Sequence, residues 1–205
     1  MLQPRAAEAT EPDLLATIAS RICHDLVSPL GAIANGVELL ALSGAGGSPE
    51  MDLIAQSVEG ANARIRFFRL AYGAAAPGQA VGRAEVEGTL RSLSRLGRLS
   101  FEWTVQGDQP RAEVKAVLLL LQCFETAMPM GGTVRVTRDG EAWEVVGEGP
   151  RLRFEDEAWA TLRGHGGPFA QGAKLVQFSL LPMALGQIGR ALALEAGPER
   201  IVARI

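Results

Sequence analysis

The chain has no excess of positive charge, almost no cysteine, and no apolar run long enough to cross a bilayer. With 20 Lys and Arg against 23 Asp and Glu in 205 residues, the net charge is −3. An acidic chain lacks the basic field that drives binding to a phosphate backbone, so nucleic acid is not an expected partner. The longest apolar stretch, Val114 to Phe124, is broken by Lys115 and Gln122. It falls short of the roughly 20 residues needed to span a membrane, so no membrane association is expected. Met1 to Pro12 carries Arg5, Glu8 and Glu11 and has no apolar core of the secretory type, which predicts a cytoplasmic protein. Cys23 and Cys123 are the only cysteines, which excludes a disulfide framework and a cysteine-type zinc site, and no metal site is expected. What is present is apolar material: 47% hydrophobic against 21% charged residues, enough for packed cores and too little charge bias for disorder.

The first half of the chain reads as two long helices. Thr10-Glu11-Pro12-Asp13 resembles a capping box with proline near the first helical position, and the helix it opens is expected to run to about Leu42. Leu15, Ile18, Ile22, Ile33, Val37 and Leu40 fall on one apolar stripe, which Pro29 and Gly31 are placed to kink. Ser43 to Ser48 breaks the pattern, and Ser48-Pro49 restarts it. Met51, Ile54, Val58, Ala61, Ile65, Phe68 and Tyr72 then repeat at alternating steps of three and four. Two such helices predict a helical hairpin whose apolar seam is half uncovered. A second copy of the chain would cover it as a two-fold four-helix bundle, which predicts a homodimer. The alternative cover is the second domain, folding back over the same seam.

Gly73 to Gly82, rich in Gly and Ala and containing Pro77, reads as a linker, giving a hairpin domain over 1–76 and a second domain over 83–205. In the second domain Ala84 to Leu96 is predicted helical, Leu99 to Val105 alternates like a half-buried strand, and Pro110 to Met128 is a strongly apolar helix. Thr133 to Arg138 and Ala142 to Val146 are strands flanking Asp139-Gly140, a dipeptide suited to a tight hairpin turn. A helix near Phe154 to Leu162, a Gly-rich loop, a helix near Leu175 to Arg190 and a last hairpin ending at Ile205 complete the pattern. Helices grouped against a mainly antiparallel sheet make an α+β fold, a two-layer α/β sandwich following the helical hairpin.

His24 stands two positions from Ile22, so at about 100° per residue it projects away from the apolar stripe. An imidazole that is exposed and substantially neutral near pH 7 is a competent nucleophile for phosphorus. Asp25 follows, and its carboxylate suits fixing the ring tautomer and stabilising the charged ring that forms.

The run His24-Asp25-Leu26-Val27-Ser28-Pro29-Leu30 resembles the H-box of two-component histidine kinases, and the longer run Arg21 to Leu40 resembles the ChpT class of histidine phosphotransferases. The resemblance implies that His24 is the phosphoacceptor, Asp25 its acid/base neighbour, and Ser28 the residue at a position where kinases carry Thr or Asn. It implies a docking surface for receiver domains that includes Arg21, Ser28 and Asn35. Asn35 also reads as a tolerated polar residue in a helix, and Gly36 as a packing glycine. Arg64, Arg66 and Arg69 on the second helix suit an acidic receiver domain, and equally suit a solvated face.

Kinase ATP domains carry an asparagine-bearing helix and an Asp-x-Gly-x-Gly turn. Leu118 to Met128 stands where the helix should be and has no asparagine; Val145-Val146-Gly147-Glu148-Gly149-Pro150-Arg151 has the outline of the turn, with Gly147 in the place of the aspartate and Arg151 in that of the second glycine. Neither can accept a hydrogen bond from the adenine amino group. Gly164-His165-Gly166-Gly167-Pro168 lacks both a phosphate-loop spacing and companion metal ligands, and reads as a surface loop. The second domain is therefore expected to be a degenerate relative of kinase ATP domains, with no nucleotide or other cofactor. The expected function is a phosphorelay carrier, with a hybrid kinase and response regulators as partners and magnesium on the partner's receiver domain. Two other readings remain: a non-catalytic dimeric adaptor, and an atypical ATP-using histidine kinase.

Overall fold

A computed structural model describes residues 11–42, 48–163 and 173–205. The capping residue Thr10, the break at residues 43–47 and the Gly-rich loop at residues 164–168 lie outside the described residues. Helix α1 spans Glu11–Leu40 and α2 spans Pro49–Tyr72. The Ser48 side chain caps α2 by accepting from the Met51 amide at 3.2 Å, Pro49 occupies the first turn, and Glu50 and Asp52 meet the positive end of the helix dipole. Ala16 and Ala19 of α1 line a cavity with Tyr72, whereas Val37 and Ala41 line one with Ala55 and Val58, so the two helices run in opposite directions.

The apolar stripe predicted on α1 divides in two. Ala16 and Cys23 are buried, and Leu30, Ala34 and Val37 are half-buried on the same face. Ile22, Leu26, Ile33 and Leu40 lie on another face, 45 to 54% exposed. On α2 the buried residues are Ala63, Ile65, Phe67, Leu70 and Ala71, of which Ile65 lies on the predicted stripe and the others are offset from it. The reason is that the C-terminal half of α2 packs on α3 and α4 as well as on α1. The second domain thus covers part of the seam, while Leu53 and Ile54 at the other end of α2 remain exposed.

The stretch after α2 is more than a linker. Strand β1 (Ala80–Val81) pairs antiparallel with β3 (Gln109–Pro110), and the Arg111 amide donates to the Gln79 carbonyl at 2.8 Å. Helix α3 (Arg83–Leu96) leads to β2 (Leu99–Trp103). Helix α4 (Arg111–Ala127) crosses to β4 (Gly132–Asp139), which runs parallel to β2. Strand β5 (Ala142–Glu148), helices α5 (Asp156–Leu162) and α6 (Val176–Gln187), and strands β6 (Ala193–Ala196) and β7 (Arg200–Arg204) follow. The sheet order is β2-β4-β5-β7-β6, antiparallel except at β2-β4. In the tight turn Asp139 pairs with Ala142, so the two loop residues are Gly140 and Glu141, one place later than predicted. Gly140 has φ +56°, as the first position of a mirror-image turn requires.

Val134, Val136, Trp143, Val145, Ile201 and Ala203 point to one face of the sheet and are buried beneath the helices. The alternate positions pair charge across strands: Arg135 with Glu102 at 2.7 Å and Arg204 with Glu144 at 2.8 Å. This is the two-layer sandwich expected from the sequence. No helix among the described residues is long and apolar enough to cross a membrane.

Candidate functional site

Arg21, His24, Ser28 and Asn35 share one stripe of α1, and all four are exposed. Cys23, one residue before His24, is 6% exposed and faces α2. The backbone therefore turns the His24 side chain about 100° away from the helix interface. Asp25 lies on the same helix, and its side chain lies outside what the structure describes. Burial pushes the Cys23 thiol up, while the Arg69 guanidinium pulls it the other way.

The three candidate arginines of α2 do not form one patch. Arg64 makes two hydrogen bonds to the Glu125 carboxylate of α4, at 3.1 and 3.0 Å. Arg69 pairs with Glu85 of α3 at 2.7 Å. Arg66 is exposed and lines a recess with Ala34 and Glu38 of α1. Two of the three thus join α2 to the sandwich, and Arg66 faces the groove between α1 and α2.

Two residues that the sequence did not single out do the same joining. Arg111, buried in α4, donates to the carbonyls of Leu70 at 2.5 Å and Arg69 at 2.7 Å, and Lys115 donates to that of Gly73 at 3.0 Å. They bind carbonyls at the end of α2, of which that of Arg69 also accepts from the Gly73 amide at 3.2 Å. The signal was available: basic residues four apart in an otherwise apolar helix need acceptors on a neighbouring element.

Around Gly147, which stands in the sequence at the place of the kinase aspartate, the strand is closely packed. A side chain begun at Gly147 would put its Cβ 2.9 Å from Phe124 and 3.1 Å from the sulfur of Met128. Phe124 in turn lies against Trp159, which also meets Phe154 and Phe178. Among the described residues no group of three or more His, Cys, Asp or Glu stands together as a metal site would.

Residues 83–200, more than half of the chain, match the model of the histidine phosphotransferase C-terminal domain. The chain belongs to the histidine phosphotransferase family. A curated relative, protein phosphotransferase ChpT of Brucella abortus (strain 2308), is 38% identical over 132 residues, 62% of this chain and 62% of that protein. The match therefore spans less than two thirds of the relative's length. The solved structure of a bacterial phosphotransferase covers 99% of both chains with a TM-score of 0.68 at 26% identity. A more distant likeness, TM-score 0.44 at 15% identity, is to the histidine kinase domain of the blue-light activated histidine kinase EL346 from Erythrobacter litoralis.

Proposed function

We propose that this histidine phosphotransferase is a phosphorelay carrier that holds a phosphoryl group on His24 and passes it between receiver domains without using ATP. The observation that carries the reading is the exposed His24 on a helix whose adjacent residue, Cys23, is buried against α2. A ring nitrogen of His24 attacks the phosphorus of a receiver phosphoaspartate in line; the nitrogen–phosphorus bond forms as the bond to the aspartate oxygen breaks, and the carboxylate leaves. The reverse step on a second receiver regenerates free His24. Asp25 takes the role of acid/base neighbour, and magnesium is supplied by the receiver. Catalysis is then mostly positioning and electrostatics, with His24 held outward and Asp25 next to it.

The partners are receiver domains of a hybrid kinase and of response regulators, docking on the stripe of Arg21, Ser28 and Asn35, with Arg66 at its edge. The protein acts in the cytoplasm as a homodimer. Ile22, Leu26, Ile33 and Leu40 support the dimer, because a bare apolar stripe of this length on a helix pair calls for a matching surface. That stripe lies roughly 160° around α1 from His24, so a second copy seated on it leaves the imidazole accessible. The packing of Gly147 against Phe124 and Met128 supports ATP independence, since no aspartate can be accommodated there to read adenine.

The test is a reconstituted relay of phosphorylated donor receiver, this chain and an acceptor receiver. Transfer to the acceptor should require the chain and disappear with His24→Ala. Acceptor phosphorylation that persists with His24→Ala would refute the carrier role.

A further inference from the structure

Several arginines of the sandwich pair with carboxylates, among them Arg135 with Glu102, Arg138 with Glu113, Arg200 with Glu148 and Arg204 with Glu144. One recess gathers more cations than acids. Between α2, the start of α6 and the face of α4 that looks toward α2 lies a cavity of about 410 Å³ lined by Arg64, Arg98 and Lys174, with Glu125 as its single acid. Glu125 is already engaged by both terminal nitrogens of Arg64. Among the described residues no carboxylate pairs with Arg98 or Lys174, although the chain as a whole is acidic.

The rest of the lining suits an anion. Phe68 and Tyr72, edge to face with ring centres 5.6 Å apart, form an apolar wall on the α2 side. A low-dielectric wall beside converging cations strengthens the field felt by a bound negative group. Gln177, 5% exposed, donates to the Thr126 hydroxyl at 3.3 Å, and the Gln122 carbonyl accepts from Tyr72, so the floor is made of neutral hydrogen-bonding groups. The volume lies within the range of small-molecule sites.

We propose that this recess binds a small, multiply charged phosphate anion, held by Arg98 and Lys174 with Arg64 behind them. The proposal goes beyond phosphoryl transfer at His24, which uses neither Arg98 nor Lys174. An anion there would touch α2, α4 and the start of α6 together, and so stabilise the union of the helix pair with the sandwich.

The test is calorimetric titration of the full chain with inorganic pyrophosphate at low ionic strength, using wild type, Arg98→Gln, Lys174→Gln and, as a control, Arg91→Gln on the exposed face of α3. All are exposed positions, and circular dichroism checks that each variant is folded. Saturable binding that weakens at least tenfold in Arg98→Gln and Lys174→Gln, is unchanged in Arg91→Gln and is retained by Arg98→Lys is the expected result. No saturable binding to wild type, or equal weakening in the Arg91→Gln control, would overturn the proposal. Neither outcome bears on labelling of His24, so failure here is distinct from failure of the relay.

Discussion

The buried guanidinium of Arg111 reaches the Leu70 carbonyl at 2.5 Å, and so one side chain of the sandwich closes the end of the helix that packs against the His24 helix. Its second bond, to the Arg69 carbonyl at 2.7 Å, and that of Lys115 to Gly73 at 3.0 Å place cations at the negative end of the α2 dipole. With Arg64 on Glu125 these contacts make α2 part of both halves of the molecule. The presentation of His24 depends on that union, because α1 packs on α2.

Arg111→Met should therefore destabilise the fold. It removes two charge-assisted hydrogen bonds, taking the guanidinium from the Leu70 carbonyl while the Arg69 carbonyl keeps the Gly73 amide, a loss of about 2 to 4 kcal/mol. Urea unfolding of the two proteins measures it, and a difference below about 0.5 kcal/mol would show that the cap contributes nothing.

Tyr72 is the only tyrosine, so its titration can be followed alone. Burial pushes its phenol up to about 12, with the hydrogen bond to Gln122 opposing the shift. The folded state holds the proton more tightly than the unfolded state, whose phenol titrates near 10. Stability from this group is complete below pH 10 and is lost as pH rises toward 12. An ultraviolet titration should show one transition near the upper value, and Tyr72→Phe should remove this contribution to alkaline unfolding. A transition near 10 in the folded protein would contradict the burial of this ring against α4.

Restoring the kinase-like acid with Gly147→Asp should not create an ATP site. The new Cβ would lie 2.9 Å from Phe124 and 3.0 Å from Ile201, and the carboxylate would enter an apolar core. A loss of several kcal/mol is expected from steric strain and buried charge together. Thermal unfolding and ATP titration of the variant check both halves; a stable variant that binds ATP would contradict the degenerate-domain account.

Much of this was legible in the residues. The Leu99–Trp103 and Gly132–Glu148 strands were readable because alternation is read directly from the sequence, and the apolar helix α4 because its length excluded a strand. His24 was singled out by its neighbours, Asp25 to Leu30. The division of the α1 stripe was not legible, because Ile22, Cys23 and Leu26 are all apolar and only the position of α2 shows which of them is covered. The strand at Ala80–Val81 was hidden for a similar reason: two residues carry no periodicity, and their partner, Gln109–Pro110, is remote in sequence. Arg64 and Arg69 looked like surface charges because their acids, Glu125 and Glu85, come from helices whose placement no local pattern gives.

If the stripe of Ile22, Leu26, Ile33 and Leu40 joins two copies, Ile33→Glu should separate them. A charge placed there meets its symmetry mate or a partner's apolar surface, at a cost of several kcal/mol. Light scattering after gel filtration should report a dimer for wild type and a monomer for the variant. A monomeric wild type would remove the argument for the dimer.

The most direct test of the central claim is whether His24 itself carries the phosphoryl group. Purified chain is incubated with a radiolabelled phospho-receiver in one reaction and labelled ATP in another, and the label on the chain is challenged with acid. The account predicts an acid-labile label from the receiver alone, absent in His24→Ala. Label that survives in His24→Ala, or that comes from ATP, would contradict it.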